Sequence, residues 1–154
     1  MTDDPRTRIR APHHLKEMND GFLARREQGE LSFDLPVLTV VGRRSGVPRA
    51  TPLTVHETGG ERFVVGGFPA ADWIRNVRAA GGHATLSSAN SAEPEPVVLT
   101  ELPAEGARPV LEVWSEVTPD GVETMIENGV LAEATPEALG GLAGICPVFR
   151  IDPA

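Results

Sequence analysis

Three arginines lie close together at one point of an otherwise acidic chain. Arg43, Arg44 and Arg49 fall within seven residues, and no acidic residue occurs between Asp34 and Glu57. The whole chain has 14 basic and 22 acidic residues, a formal net charge of −8. Because arginine binds phosphate or carboxylate through two parallel hydrogen bonds, this basic turn is a candidate anion site. On charge alone, a solvated turn without a ligand is an equally good interpretation.

The residue types within the turn add to the anion hypothesis. Gly42 and Gly46 allow backbone N–H groups to converge on an anion without interference from a Cβ. Ser45 adds a hydroxyl donor. Further along, Pro52 interrupts the predicted second strand because proline has no N–H to donate, which leaves room beside the strand for a flat ligand. The pattern therefore indicates an anion site next to a flat binding surface.

The other side chains that could do chemistry form no catalytic pattern. His13 and His14 begin a predicted helix and are expected on the surface, while His56 and His83 lie on predicted strands without a carboxylate or cysteine partner nearby in sequence. These spacings do not match a metal site. Cys146, the single cysteine, precedes a proline and is expected to be a small buried group. No close carboxylate pair suggests acid–base work, so we assign no metal site and no catalytic residue.

Length and composition predict one domain spanning residues 1–154, with residues 1–11 disordered. The chain is 40% hydrophobic and 23% charged, as expected of a globular protein. Its net negative charge argues against nucleic-acid binding. No apolar run approaches the roughly 20 residues of a membrane span, so no integral membrane segment is expected. The absence of a secretory pattern and the single cysteine favour a cytoplasmic location.

Hydrophobic periodicity and turn residues predict the order of helices and strands. Helices are expected at 13–28, 71–80, 106–116, 120–128 and 133–140, and strands at 36–41, 50–57, 62–67, 83–88, 96–101 and 145–151. The first three strands are expected to form an antiparallel meander, and the polar stretch 89–95 to join the next two. About six strands in hairpins with inserted helices favour an α+β fold built on a small antiparallel barrel.

Three stretches of the chain resemble a known enzyme family. The segment from Leu38 to Leu53 resembles the G-R-K/R-S-G-x-P-R-x-x-P-L signature of the deazaflavin-dependent nitroreductase and quinone reductase family of actinobacteria. Residues 73–77 resemble the family's W-x-x-N-L, and residues 147–150 its closing strand. The resemblance covers roughly residues 35–102, and the final strand more loosely.

The resemblance implies a split β-barrel of the flavin-reductase-like type that binds reduced coenzyme F420, an 8-hydroxy-5-deazaflavin with a phosphate and polyglutamate tail. It implies hydride transfer to a small electron-poor organic molecule, such as a quinone, enone or nitro compound. The implied cofactor-binding residues are Arg43, Arg44, Ser45, Gly46 and Arg49 for the tail, Pro52, Leu53 and Thr54 for the ring, Gly66, Gly67 and Phe68 for its polar edge, and Trp73, Asn76 and Arg78 around the site.

Two departures from the family pattern leave alternatives open. The loop Phe68–Asp72 is shorter than the family's Gly- and Lys-containing loop, and the chain has no tyrosine, the residue that better-studied relatives use to bind or protonate substrate. The proton donor and natural substrate are therefore not assigned. One alternative is an FMN-binding reductase of the same fold, and another is a non-catalytic barrel that binds a cofactor or lipid. Related barrels often pair through sheet faces, so a homodimer is expected by analogy, and Trp114 is expected in the core or an interface.

Overall fold

A computed structural model describes residues 4–31, 34–88 and 93–154. Its strands are β1 (Val37–Val41), β2 (Pro48–Pro52), β3 (His56–Thr58), β4 (Glu61–Val65), β5 (His83–Ser87), β6 (Glu95–Glu101) and β7 (Val148–Pro153). Its α-helices are α1 (His13–Glu27), α2 (Asp72–Ala79), α3 (Ala104–Glu112), α4 (Trp114–Val117), α5 (Pro119–Glu127) and α6 (Pro136–Gly140). Residues 1–3 of the predicted disordered segment 1–11 and residues 89–92 of the predicted polar connection lie outside the described residues, and the disorder of residues 4–11 stays a prediction.

All seven strands pair antiparallel in one curled sheet of order β2-β1-β5-β6-β7-β4-β3. The predicted α+β class with a small antiparallel barrel is confirmed. The predicted meander is wrong, because β2 pairs with β1 at one edge while β3 and β4 pair at the other. The expected strand 50–57 breaks after Pro52. The N–H of Leu53 donates a hydrogen bond to the carbonyl of Pro36, just before β1, at 3.0 Å. The chain then crosses from one edge of the sheet to the other.

Two apolar cores hold the sheet and helices together. In the first, α2 places Ile74 and Val77 against the sheet, where they pack with Val64 and Phe149. Their spacing of three residues puts both side chains on one face of the helix. In the second core, α3 to α6 cover the β4–β7 part of the sheet through a group of buried side chains that includes Leu111, Trp114, Met125 and Leu139. The helices α2, α4 and α5 are thereby fixed around one end of β4.

The longest helix, α1, contributes no buried residue. It is held by Arg26, which donates to the carbonyl of Leu35 at 3.1 Å and to Ser87 Oγ at 3.2 Å. Before it, Pro5–Arg8 forms a 3-10 helix. Within the described residues, no helix combines the length and apolar content that crossing a bilayer requires. Helix α1 therefore lies on the surface of the protein and adds no buried side chain to either core.

Candidate functional site

A groove of about 700 Å³ opens between α1 and the β2 edge of the sheet. Its other walls are the basic turn 42–49, the loop that follows β4, the first turns of α2, and the α4–α5 pair. Sites for small molecules and cofactors typically measure about 300–1,000 Å³, so the groove is large enough for one. We refer to this space as the groove.

The backbone of the basic turn is occupied by its own hydrogen bonds. The N–H of Gly42 donates to the carbonyl of Val47, and the N–H of Gly46 donates to the carbonyl of Gly42, both at 2.9 Å. Gly46 has a φ of +70°, a conformation that L-residues with a side chain rarely adopt. Ser45 Oγ accepts from the N–H of Val47 at 3.1 Å. Internal carbonyls therefore accept from both glycine amides, and the convergence of backbone N–H groups on an anion at this turn stays a prediction.

Arg43 is held by protein groups rather than left free for a ligand. Asn76 Oδ1 accepts from the backbone N–H of Arg43 at 3.1 Å and from its guanidinium at 2.8 Å. A second guanidinium nitrogen lies 3.2 Å from Asp72 Oδ1. Among the described residues, Asn76 is the one buried polar side chain. A buried amide is retained when it is hydrogen-bonded, so this contact fixes the basic turn against α2.

Two exposed arginines on the groove wall have no acidic partner among the described residues. Arg44 and Arg49 both line the groove, and in residues 4–31, 34–88 and 93–154 no carboxylate forms a salt bridge with either. On the α1 wall, by contrast, Lys16 lies 3.9 Å from Asp20. The unpaired positive charge of the groove is therefore concentrated at the turn, as the sequence predicted.

The part of the groove beyond β2 is apolar. Pro52 and Leu53 line it from the end of β2, and Val65 from the end of β4. The α4–α5 pair adds Trp114 and Met125, which sequence reasoning did not assign to the site. Nothing in the local sequence marks these two residues, because only the packing of distant helices brings them to β4. The prediction that Trp114 lies in the core is confirmed, since its exposed fraction is 4%.

Met125 also explains the need for a glycine after β4. A Cβ placed on Gly67 would lie 3.2 Å from Met125 Sδ, which is tighter than ordinary van der Waals contact. Trp73 lines the groove nearby and packs on Phe149 with ring centroids 5.9 Å apart. The loop after β4 is thus packed between α2 and α5, with little space for a larger side chain.

Most of the positions implied by the family resemblance lie together in the groove. Those that line it are Arg43, Arg44, Ser45, Arg49, Pro52, Leu53, Thr54, Gly67, Phe68, Trp73 and Asn76. The structure places Gly46, Gly66 and Arg78 outside it. Gly66 donates its N–H to the carbonyl of Pro147 at 2.8 Å, and Arg78 forms two 2.9 Å bonds to Glu101. Their contacts with a cofactor stay a prediction, and in this structure their donors have partners within the protein.

The remaining reactive side chains among the described residues include one cysteine and several histidines. Cys146 is fully buried, and burial raises the pKa of its thiol to about 12, which confirms the prediction of an inert buried group. His13 lines the groove, whereas His56 and His83 do not. Within the described parts of the chain, no group of three His, Cys, Asp or Glu side chains could hold a metal ion.

Similar solved structures show the fold. An F420-H2 dependent reductase (FDR-A) is 22% identical, with a TM-score of 0.52 over 77% of this chain and 93% of its own. A protein described as a domain-swapped dimer is 21% identical, with a TM-score of 0.54 over 90% of this chain and 97% of its own. The predicted split-barrel fold is confirmed by these neighbours. No curated protein matches the chain.

The family comparison concerns the half of the chain that builds most of the groove. The model of the F420H(2)-dependent quinone reductase family matches residues 8–83. This segment contains α1, the basic turn, β2 and α2, but not α4 and α5. The predicted family, the redox activity and the choice of coenzyme F420 as cofactor are confirmed by this match. Residues 8–83 of this chain are thus similar to the F420H(2)-dependent quinone reductase family.

Proposed function

We propose that this chain binds reduced coenzyme F420 in the groove and reduces a small electron-poor organic acceptor, such as a quinone, an enone or a nitro compound. One observation carries the proposal. The groove joins two exposed arginines, Arg44 and Arg49, for which the described part of the chain offers no salt-bridge partner, to an apolar surface that includes Leu53 and Trp114. A ligand that is anionic at one end and flat and apolar at the other matches this division.

The groove residues fit the cofactor in charge and in spacing. Arg49 is the second residue of β2, and Leu53 follows its last residue, so an extended strand separates them by roughly 13 Å. The charged tail and the ring of one F420 molecule would then lie along β2. Arg44 and Arg49 would hold the anionic tail, while Pro52, Leu53 and Trp73 would contact the ring.

The chain's own contribution to the reaction is binding and orientation. When bound, reduced F420 supplies the hydride, which is the cofactor's own chemistry. Asn76 holds Arg43, and through it the turn, so that Arg44 and Arg49 are in place before a ligand arrives. The apolar side chains around Leu53 and Trp114 exclude water from the space beside the ring. Fixing the acceptor against the ring lowers the entropic part of the barrier.

The proposal can be tested by titrating the protein with F420 and with FMN and following the quenching of cofactor fluorescence. We expect tighter binding of F420 at low ionic strength, because two arginines suit a tail with several anionic groups better than a single phosphate. Arg49→Ala should weaken F420 binding about tenfold. Arg75→Ala is the matched control, because Arg75 is exposed on α2 and does not line the groove.

The two alternative functions, an FMN reductase and a non-catalytic binding protein, predict different results in these measurements. Preference for FMN over F420 at low salt would refute the cofactor assignment and favour an FMN reductase. Binding of F420 without turnover of any member of a panel of quinones, enones and nitro compounds would favour a non-catalytic binding protein. Oxidation of reduced F420 by one acceptor class, absent in a control without protein, would support the proposal and identify the substrate class.

We also propose that the chain forms a homodimer. The structural neighbour described as a domain-swapped dimer supports this assembly. Light scattering after size-exclusion chromatography should give twice the chain mass of 16.4 kDa. A monomer mass over a wide range of concentrations would contradict this part of the proposal.

A further inference from the structure

The segment before α1 crosses the groove at the short loop that follows β4. The carbonyl of Ile9 accepts a hydrogen bond from the N–H of Ala70 at 2.9 Å. The next residue, Arg10, lines the groove, and its guanidinium lies 3.6 Å from Asp72 Oδ1. A backbone contact therefore brings a cation from the start of the chain to the first turn of α2.

Asp72 is shared between two arginines. The guanidinium of Arg43 lies 3.2 Å from the same Oδ1 that faces Arg10. The Asp72 side chain is 68% exposed, and that of Arg10 is 63% exposed. Exposed ion pairs of this kind contribute little to stability. Since one carboxylate faces two guanidiniums and the Arg10 pair is weak, an arriving anion can take the place of Asp72 at Arg10 at little cost.

The loop beside this pair has no cation of its own. Residues 68–72 read Phe-Pro-Ala-Ala-Asp, with neither lysine nor arginine. Arg10 reaches the space beside the loop from another part of the chain. The charge that the loop lacks is thus present in the groove, on a segment that is held to the loop by the Ile9–Ala70 bond.

We propose that Arg10 is a cofactor-binding residue that takes an anionic group of the F420 tail, a phosphate or a carboxylate, in exchange for Asp72. This inference rests on the proposed function, because it assumes that the groove holds F420. It differs from a purely structural role, in which Arg10 would only attach the start of the chain to α2. The two roles separate when the ligand lacks the tail.

The test compares F420 with its riboside, which carries the same ring but neither the phosphate nor the glutamates. For Arg10→Gln at low ionic strength, we expect F420 binding to weaken about fivefold to tenfold and riboside binding to change less than about twofold. Arg75→Gln is the control, because it removes the same charge from an exposed position that does not line the groove. Thermal unfolding of each variant shows that the protein is folded before binding is measured.

Every outcome decides between the two roles or rejects both. Loss of affinity for F420 alone supports the inference. An equal loss for F420 and the riboside overturns it, because Arg10 then acts on the structure of the whole groove. If the wild type prefers F420 to the riboside and Arg10→Gln matches Arg75→Gln, the inference is wrong and the proposed function stands. If the wild type binds neither ligand, the proposed function fails, and the inference with it.

Discussion

Replacing Asn76 with alanine removes both hydrogen bonds that fix the basic turn to α2. One is a neutral bond from the Arg43 backbone N–H at 3.1 Å, and the other is charge-assisted, from the Arg43 guanidinium at 2.8 Å. A neutral bond contributes about 1 kcal/mol and a bond to a charged group about 2 kcal/mol, so Asn76→Ala should lower the free energy of unfolding by about 3 kcal/mol. For a domain of this size, that loss corresponds to a fall in Tm of about 6–12 °C.

The measurement is thermal unfolding followed by calorimetry or circular dichroism. Asn128→Ala is the control, because Asn128 makes a single 2.8 Å bond to the carbonyl of Thr124 at the end of α5, away from the turn. Asn76→Asp keeps an acceptor oxygen opposite Arg43 and should recover most of the lost stability. If Asn76→Ala lowers Tm no more than Asn128→Ala does, Asn76 does not brace the turn and our reasoning about Arg43 is refuted.

Cys146 and two glycines yield further predictions. Because burial raises the pKa of the Cys146 thiol to about 12, from an ordinary value of 9.0, its contribution to stability is complete below about pH 9 and falls as the pH rises toward 12. Cys146→Ala should reduce the fall in the free energy of unfolding, measured with urea, between pH 9 and pH 12. An unchanged pH dependence would contradict the raised pKa of Cys146. Gly66→Ala should cost about 1–3 kcal/mol, since its Cβ would lie 2.5 Å from Ile74 Cδ1 in the closed core. Gly67→Ala should cost less, because the flexible Met125 can move away; equal losses in urea unfolding would show that Met125 is as rigid as Ile74.

Much of the fold follows from local patterns in the sequence. The helices α1 and α2 and the strands β1, β5 and β6 begin and end close to the predicted residues, because periodicity and the glycines and prolines around them act locally. The order of the strands in the sheet could not be predicted from these local patterns. Neighbouring strands in the sequence often pair, but the break after Pro52 sends β3 and β4 to the far edge of the sheet, a consequence of packing that no local pattern reports.

The candidate site shows the same division between local and distant information. The basic turn could be recognised because its arginines, glycines and proline lie within a few residues of each other. The positions of Arg10, Trp114 and Met125 on the groove wall could not, since these residues lie far from the basic turn in the sequence. Residues more than 40 positions apart meet only through the packing of whole helices and segments.

The sequence by itself determined the family, the α+β class and the position of an exceptional cluster of positive charge. Those properties depend on the types of residues and on their spacing over short stretches of sequence, which are the same in the unfolded chain. Only the tertiary structure decided which cations remain available, because Asn76 and Asp72 engage Arg43 while Arg44 and Arg49 keep no acidic partner among the described residues. Whether a charged group faces a ligand or a neighbouring side chain depends on distances of a few ångströms, and these are set by packing between distant segments.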